Sequence, residues 1–434
     1  MDVAVIGCGY VGLVTGVTLA SIGHTVVGID SDASRVDAIH SGRAPFHEPG
    51  LDELLRESLE RGAFAVSTTL ESAADADVVL LAVQTPPRED GGVELGHVED
   101  ATRALGAVLA AAPARRRVVA IRSTVPPGTN EQRVAPLLAG VADLVVVSNP
   151  EFLREGTAVD DLLHADRVVV GASEPWAADV MRELYEPIGA AFLVTSPATA
   201  ELAKYASNAF LATLVSFSNE LARISERTPG VDVEDVLGIV HLDRRLAPDG
   251  RPAPIVSFLK AGCGYGGSCL PKDIAGLAGY GRALGETTPL LEAVAAVNAG
   301  QASRLVDLAE NALGSLSGRR IAVLGAAFKA GTDDLRHSSG LAVLQELRDR
   351  GATAVVFDPL VAADALAAAI PAGAIVAETL DDALDGTAAC LVTTAAPEWR
   401  ALDEHPTRPL VVDGRRALDP ARYDGRYVAI GRAS

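Results

Sequence analysis

An α/β architecture, with two doubly wound parallel-sheet domains joined by a long central helix and a helical connector, is predicted from three observations on this 434-residue sequence. Short apolar runs ending in small polar residues alternate with helical segments from the first residues onward. One stretch, Thr199 to about Glu226, reads as a single uninterrupted helix. A second strand–turn–helix–strand unit begins near Ser317. The sections run 1–195, 196–300 and 301–434, and a hydrophobic content of 49% is enough to give each its own core.

In the first section, Val3 to Ile6 is a strand, Gly7, Gly9 and Gly12 form a turn, a helix runs from about Val11 to Ile22, and Thr25 to Ile29 is the next strand, ending at Asp30. This is a βαβ unit with the Gly-x-Gly-x-x-Gly fingerprint of a Rossmann-like dinucleotide-binding domain. The first glycine allows the tight turn, the second lets a pyrophosphate approach the backbone, and the third lets helix and strand pack closely. A carboxylate 18 residues after Gly12 accepts hydrogen bonds from ribose hydroxyls and repels a 2′-phosphate, so NAD is expected rather than NADP. Further strands are expected at Asp77–Val83, Val118–Arg122 and Leu144–Ser148. Ligands bind at the carboxyl ends of such strands, which puts Thr85, Thr124 and the segment Asn149 to Glu155 around the cofactor.

The central helix is entered through Ser196-Pro197, a capping residue followed by a proline suited to the first turn. Glu201, Lys204, Asn208 and Leu211 recur on one of its faces. That polar stripe is either functional or a solvent-facing strip. In the third section the strands Arg320–Leu324 and Thr353–Phe357 flank a helix from about Ser338 to Arg350, and of the fingerprint only Gly325 is recognised. A second dinucleotide is therefore not expected. The loop offers Lys329, Asp333, Asp334 and Arg336, side chains suited to phosphate and sugar hydroxyls.

A net charge of −20 argues against non-specific nucleic-acid binding, and no run of eighteen apolar residues suggests a membrane span. No secretory signal precedes the first strand, so a cytoplasmic location is expected. Cys8, Cys263, Cys269 and Cys390 make neither a disulfide framework nor a zinc clip, and no metal is called for. Of 37 basic residues only four are lysine: Lys204, Lys260, Lys272 and Lys329. Each is therefore read as marking a place where a compact ammonium does what a planar guanidinium cannot.

Cys269 stands apart from the other cysteines. It follows Gly264-Tyr265-Gly266-Gly267-Ser268 and precedes a helix expected from Pro271 onward, so the positive helix end and the Lys272 ammonium both favour its thiolate. The glycines are read as leaving room for a ligand to reach the sulfur.

Taken together, these runs resemble the UDP-glucose/GDP-mannose dehydrogenase family along essentially the whole chain. The resemblance rests on Gly7-Cys8-Gly9-Tyr10-Val11-Gly12, His47-Glu48-Pro49-Gly50-Leu51, Val83 to Pro87, Ser123 to Gly128, Pro150 to Gly156, Glu201 to Asn208, Gly264 to Asp273, Asn298 with Gln301, and Phe328 to Arg336. It implies a four-electron oxidation of a sugar hydroxymethyl group to a carboxylate with two NAD, through a thiohemiacetal and a thioester on Cys269. By the same resemblance Lys204, aided by Asn208, stabilises an oxyanion, Asp273 and Thr124 hold the hydrolytic water, and Glu155 acts as a base. Which of Asp273, Lys204 and Glu155 moves which proton stays open.

The implied NAD contacts are Gly7, Gly9, Tyr10, Val11, Gly12, Asp30, Arg35, Thr85, Thr124, Glu155, Lys272 and Arg336. The implied nucleotide-sugar contacts are Glu151, Phe152, Leu153, Arg154, Glu155, Lys204, Asn208, Phe258, Leu259, Lys260, Ala261, Gly262, Gly266 and Lys329. The run Phe258 to Gly262 is similar to the UDP-glucose branch, with GDP-mannose as the alternative substrate. A homodimer is implied, with Arg244 or Arg245 reaching the partner's site. The sequence departs from the family pattern at Ala330-Gly331, at His337 and at Arg416, and the segment Leu246 to Val256 is longer than usual.

Overall fold

A computed structural model describes residues 1–88 and 90–433. They form two compact units, Met1–Ser207 and Asn208–Ser434, and the division falls within the long helix Pro197–Glu226.

The first unit is built on an eight-stranded sheet of β1 (Asp2–Ile6), β2 (Thr25–Ile29), β3 (Phe64–Ser67), β4 (Val78–Leu81), β5 (Arg117–Ile121), β6 (Leu144–Ser148), β7 (Arg167–Gly171) and β8 (Ala191–Thr195), in the order β3-β2-β1-β4-β5-β6-β7-β8. All pairs are parallel except β6 with β7. The continuous apolar runs of β4 and β5 follow from burial on both faces. Helix Tyr10–Ser21 packs against the sheet through Leu13, Val14 and Val17, all fully buried. β4 ends two residues before the expected Val83 and β5 stops at Ile121. The chain beyond each leaves the ladder to become the loops that carry Thr85 and Thr124.

In the second unit β9 (Arg320–Leu324), β10 (Thr353–Phe357), β11 (Ile375–Val376), β12 (Ala389–Val392), β13 (Leu410–Asp413) and β14 (Tyr427–Ala429) form a parallel sheet of order β11-β10-β9-β12-β13-β14. This repeats the order of the first six strands of the other sheet. The doubly wound 3-2-1-4-5-6 pattern therefore occurs twice, each time with its switch point beside the first strand.

The second unit keeps more of the fingerprint than Gly325. A Cβ on Gly340, at the start of helix Ser339–Asp349, would lie 2.3 Å from the Gly325 carbonyl oxygen, just as one on Gly12 would lie 1.8 Å from that of Gly7. Gly340 is thus the third glycine, displaced in sequence because the loop through Phe328 and Arg336 intervenes.

The long helix begins at Pro197, with the Ser196 hydroxyl accepting from the Thr199 amide at 3.3 Å, as its entry sequence predicts. Among the described residues no helix is long and apolar enough to cross a membrane.

Two of the positions that depart from the family pattern, His337 and Arg416, have left-handed backbone conformations, with φ of 49° and 53°. Arg416 is held there by ion pairs to Asp232 at 2.6 Å and Glu234 at 3.1 Å. His337 is exposed. A side chain in this region costs about 1 kcal/mol that glycine avoids, partly offset by glycine's greater freedom when unfolded. His337→Gly is therefore expected to raise stability by about 0.5 kcal/mol, measured as a higher urea midpoint at unchanged slope; a lower midpoint contradicts the assignment.

Candidate active site

The nucleotide turn of the first unit has the geometry its glycines require. Gly7 has φ of 93° and Gly12 lies against the Gly7 carbonyl, whereas a Cβ on Gly9 would meet no atom within 4 Å, leaving backbone open to a ligand. Asp30 at the end of β2 is buried. Its Oδ2 accepts from the Cys8 amide at 2.8 Å and from Arg35 Nη1 at 2.9 Å, so the two residues assigned to ribose and cofactor form one ion pair. Tyr10 and Val11 open the helix, and Thr85, buried, follows β4. These groups fit NAD.

Lys204 and Glu151 form a buried pair, Nζ to Oε1 at 2.9 Å, with side chains 3% and 5% exposed. Burial pushes the Glu151 carboxyl up, but the Lys204 ammonium, aided by the Leu153 amide and by Arg122, outweighs it and holds the group below the usual carboxylate range. Lys204 and Thr124 line one small cavity together with Ser123, Ser148, Pro150 and Glu201. The ring of Phe152 lies under Arg167 and Lys204, at 4.1 and 5.6 Å from its centroid, while Arg154 is exposed and paired with Asp161. Glu155 is half-buried. Because Glu201, Lys204 and Asn208 are all buried, the polar stripe of the long helix is not a solvent-facing strip.

Glu48, quoted in a matched run but given no task, fastens this loop. Its Oε1 accepts from the Ala158 amide at 2.7 Å, and its Oε2 accepts from the Gly156 amide at 2.7 Å and from the Tyr10 hydroxyl. The segment carrying Glu151 to Glu155 is thereby tied to the nucleotide turn.

In the second unit Cys269 is the N-cap of helix Leu270–Ala283, with the Asp273 amide donating to its carbonyl at 2.9 Å. Of the four cysteines it alone is not buried. Burial pushes the thiols of Cys8 and Cys390 up to about 12 and that of Cys263 up to about 11, so these three are inert as nucleophiles.

Asp273, fully buried, accepts from Lys272 Nζ at 2.6 Å and from Asn208 Nδ2 at 2.5 Å. Lys272 thus has a definite anionic partner in Asp273, beside the helix end that Cys269 caps. Asn208 also has a definite partner, since its amide holds Asp273.

The glycines before Cys269 are likewise not simply room for a ligand. A Cβ on Gly264, Gly266 or Gly267 would meet Asn298 Oδ1 at 2.3 Å, the His337 carbonyl at 2.2 Å or the Phe328 ring at 2.8 Å. Protein atoms already fill that space, and the loop is fixed by its backbone. Asn298 donates to the Tyr265 carbonyl at 2.9 Å and accepts from its amide at 2.8 Å, Arg415 donates to the Gly264 carbonyl at 3.0 Å, and the Arg336 carbonyl accepts from Gly267 at 2.9 Å.

Asn219 accepts from the Gly262 amide at 2.7 Å. In the same run Leu259 and Ala261 are buried, so that what it offers a ligand is Lys260, which is exposed, and the backbone near Phe258. Lys329 lines a cavity of about 190 Å³ with Thr332, Asp358, Thr394 and Glu398, and Arg336 pairs with Asp334 at 2.6 Å. Arg245 pairs with Asp243 at 2.5 Å.

The tasks of Glu48, Asn298 and Arg415 were missed by sequence reasoning. Glu48 and Asn298 stand in matched runs and Arg415 in none, and the groups that all three meet lie far away along the chain.

Comparison with known proteins agrees along the full length. Residues 1–189 match the NAD binding domain of the UDP-glucose/GDP-mannose dehydrogenase family, 198–300 its central domain and 322–420 its UDP binding domain. The chain is similar to the UDP-glucose 6-dehydrogenase of Pseudomonas aeruginosa (40% identity, 100% of this chain, 98% of that protein) and to one from Bacillus subtilis (38%, 100% and 98%). Among solved structures, a UDP-glucose dehydrogenase from Pyrobaculum islandicum superimposes with a TM-score of 0.92 at 39% identity, covering 100% of this chain and 98% of that one.

Proposed function

Because the chain belongs to the UDP-glucose/GDP-mannose dehydrogenase family of NAD-dependent oxidoreductases, we propose that it oxidises the C6 hydroxymethyl of UDP-glucose to the carboxylate of UDP-glucuronate by covalent capture on Cys269. The observation that carries this reading is the single unburied thiol of the chain, set at the N-terminus of a helix, in a protein 38–40% identical over its length to UDP-glucose 6-dehydrogenases.

Gly7, Gly9, Tyr10, Val11, Gly12, Asp30, Arg35, Thr85, Thr124, Glu155, Lys272 and Arg336 are the groups we assign to NAD, which when bound accepts a hydride at each of the two oxidations. In the first oxidation the alcohol also passes its hydroxyl proton to the water held by Asp273 and Thr124 and becomes an aldehyde. The Cys269 thiolate adds to the aldehyde carbon, forming a C–S bond, and the resulting oxyanion is met by the Lys204 ammonium. Loss of the second hydride leaves a thioester. Water held by Asp273 and Thr124 then attacks, Glu155 takes its proton, the C–S bond breaks and the thiolate is regenerated with the carboxylate. Glu151 to Glu155, Asn208, Phe258 to Gly262, Gly266 and Lys329 are assigned to the nucleotide sugar.

We assign NAD binding to 1–195, dimerisation and the cysteine loop to 196–300, and nucleotide-sugar binding to 301–434. Phe210, Phe217 and Ile224 stand at seven-residue spacing on the long helix and are 56%, 50% and 58% exposed, which supports a homodimer formed along that helix. Arg244 or Arg245 is the arginine we assign to the partner's site; the Arg245–Asp243 pair is exposed and leaves both able to reach out. Four free cysteines fit a reducing cytoplasm.

The test is to supply UDP-glucose or GDP-mannose with NAD and measure NADH and acid. Two NADH per UDP-glucose are expected. Turnover of GDP-mannose alone overturns the substrate assignment, and one NADH per sugar overturns the covalent route.

A further inference from the structure

Glu201 lies one helical turn before Lys204 on the same face of the long helix, and the reaction scheme gives it no task. It is 3% exposed, yet its carboxylate meets three donors from two other segments. Oε2 accepts from the Gly128 amide at 2.6 Å; Oε1 accepts from the Asn130 amide at 2.9 Å and from the Ser148 hydroxyl at 3.0 Å. Asn130 donates its own side-chain amide to the same hydroxyl at 3.1 Å.

These donors are not scattered. Gly128 and Asn130 belong to the turn that leaves Thr124 and leads into a π-helical turn, Asn130–Val134, and Gly128 has φ of 89°. Ser148 ends β6, immediately before the segment that carries Glu151 and Glu155. Glu201 also shares the wall of the small cavity with Thr124, Ser148 and Lys204.

We propose that Glu201 is a positioning residue of the reaction: its ionised carboxylate locks the Thr124 turn, the start of the Glu151–Glu155 loop and Lys204 into one arrangement. The proposal rests on the reading of Thr124 and Lys204 as active-site residues. A carboxylate can accept from several donors at once, and charge strengthens each bond. Glutamine cannot replace it, because its NH₂ would confront one of the two backbone amides. The charged groups around Glu201 are Glu131, on the turn, and Lys204 with its partner Glu151. Burial pushes the Glu201 carboxyl up to about 6, and Glu131 adds to this, against the three hydrogen bonds. Below that pH one oxygen carries a proton, must donate rather than accept, and the lock opens.

The experiment compares full-length wild type, Glu201→Gln and Ser148→Ala with UDP-glucose and NAD from about pH 5 to 8.5. The wild type is expected to lose kcat on the acid side with a midpoint near 6. Glu201→Gln is expected to have kcat lowered about 10-fold or more at neutral pH, no such acid limb, and KM for NAD within about 3-fold of wild type. Its Tm is expected to fall by several degrees at most, because the gain from removing a buried charge offsets part of the cost of one amide left without an acceptor, so kcat is compared at a temperature where both proteins are folded. Ser148→Ala, which removes one donor and keeps the charge, should retain the limb. A kcat of Glu201→Gln within about 2-fold of wild type, or an acid limb that survives in it, overturns the proposal.

Hydrogen exchange of segment 126–131 gives a readout free of activity. After correction for intrinsic rates, its protection in wild type should be lost between pH 7.5 and 5. Unchanged protection overturns the proposal even if Glu201→Gln does not fold. Failure of the wild type to reduce NAD with any nucleotide sugar would instead defeat the functional reading, and the exchange arm would still decide the role of Glu201.

Discussion

Cys269→Ala will abolish formation of the sugar acid while leaving the fold intact, with a loss of about 10³-fold or more in kcat for acid production. The side chain is only half-buried at a helix N-cap; alanine keeps the bond from the Asp273 amide to the residue 269 carbonyl and loses the 3.4 Å contact between the Ser268 hydroxyl and the sulfur. Tm is therefore expected to shift by no more than a surface substitution would produce, about 0.5 kcal/mol in stability. Without the sulfur no C–S bond can form, so the aldehyde is not held for a second oxidation, and NADH per sugar consumed should fall to one or less. Cys8, Cys263 and Cys390 cannot take over, since burial keeps each of them protonated. NADH counted against sugar consumed, with the acid followed by chromatography, decides the matter. Two NADH per sugar at a tenth of the wild-type rate or more would remove Cys269 from the mechanism.

Lys204→Met will damage both stability and catalysis, and pH separates the two. The methionine fits the volume but leaves Glu151 buried beside no ammonium. Breaking a buried pair in this way costs about 3–5 kcal/mol, and catalysis loses the charge assigned to the oxyanion, about 10²-fold or more in kcat.

The sign of the pH dependence follows from Glu151. In wild type its pKa is lowered, so the pair's contribution is present at neutral pH and is lost as pH falls through that depressed value. In the variant burial, the largest influence, is opposed only by the Leu153 amide and Arg122, so the pKa rises and the folded state takes up a proton more readily. The destabilisation relative to wild type should therefore be greatest near pH 8 and shrink toward pH 5. Adding Glu151→Gln to Lys204→Met should recover much of the lost Tm without recovering kcat. Equal destabilisation at both pH values would mean that the pair contributes through packing rather than charge.

What the sequence could and could not reveal divides along the distance between interacting groups. The nucleotide turn, the caps at Ser196 and Cys269 and the strands β2, β6, β9 and β10 are set by residues a few positions apart, and the periodicity carried them. The Glu48 carboxylate meets an amide 110 residues away and Arg415 a carbonyl 151 residues away, and no local pattern announces either contact. The glycines before Cys269 were recognised as necessary but for a different reason, because close approach by a ligand and close approach by Asn298 and Phe328 demand the same residue. Gly340 escaped notice because a fingerprint interrupted by a loop no longer has its spacing.

That interruption gives the two strand–helix junctions different surfaces. In the first sheet the turn between strand and helix is short, and what its open side at Gly9 presents is main chain, a surface that mutation changes little. In the second, the strand and the helix still meet glycine to glycine at Gly325 and Gly340, but a side-chain-bearing loop has been spliced into the junction without disturbing it. Residues there can be exchanged singly, so the half of the molecule assigned to the sugar nucleotide can drift toward new substrates while the half assigned to NAD stays put.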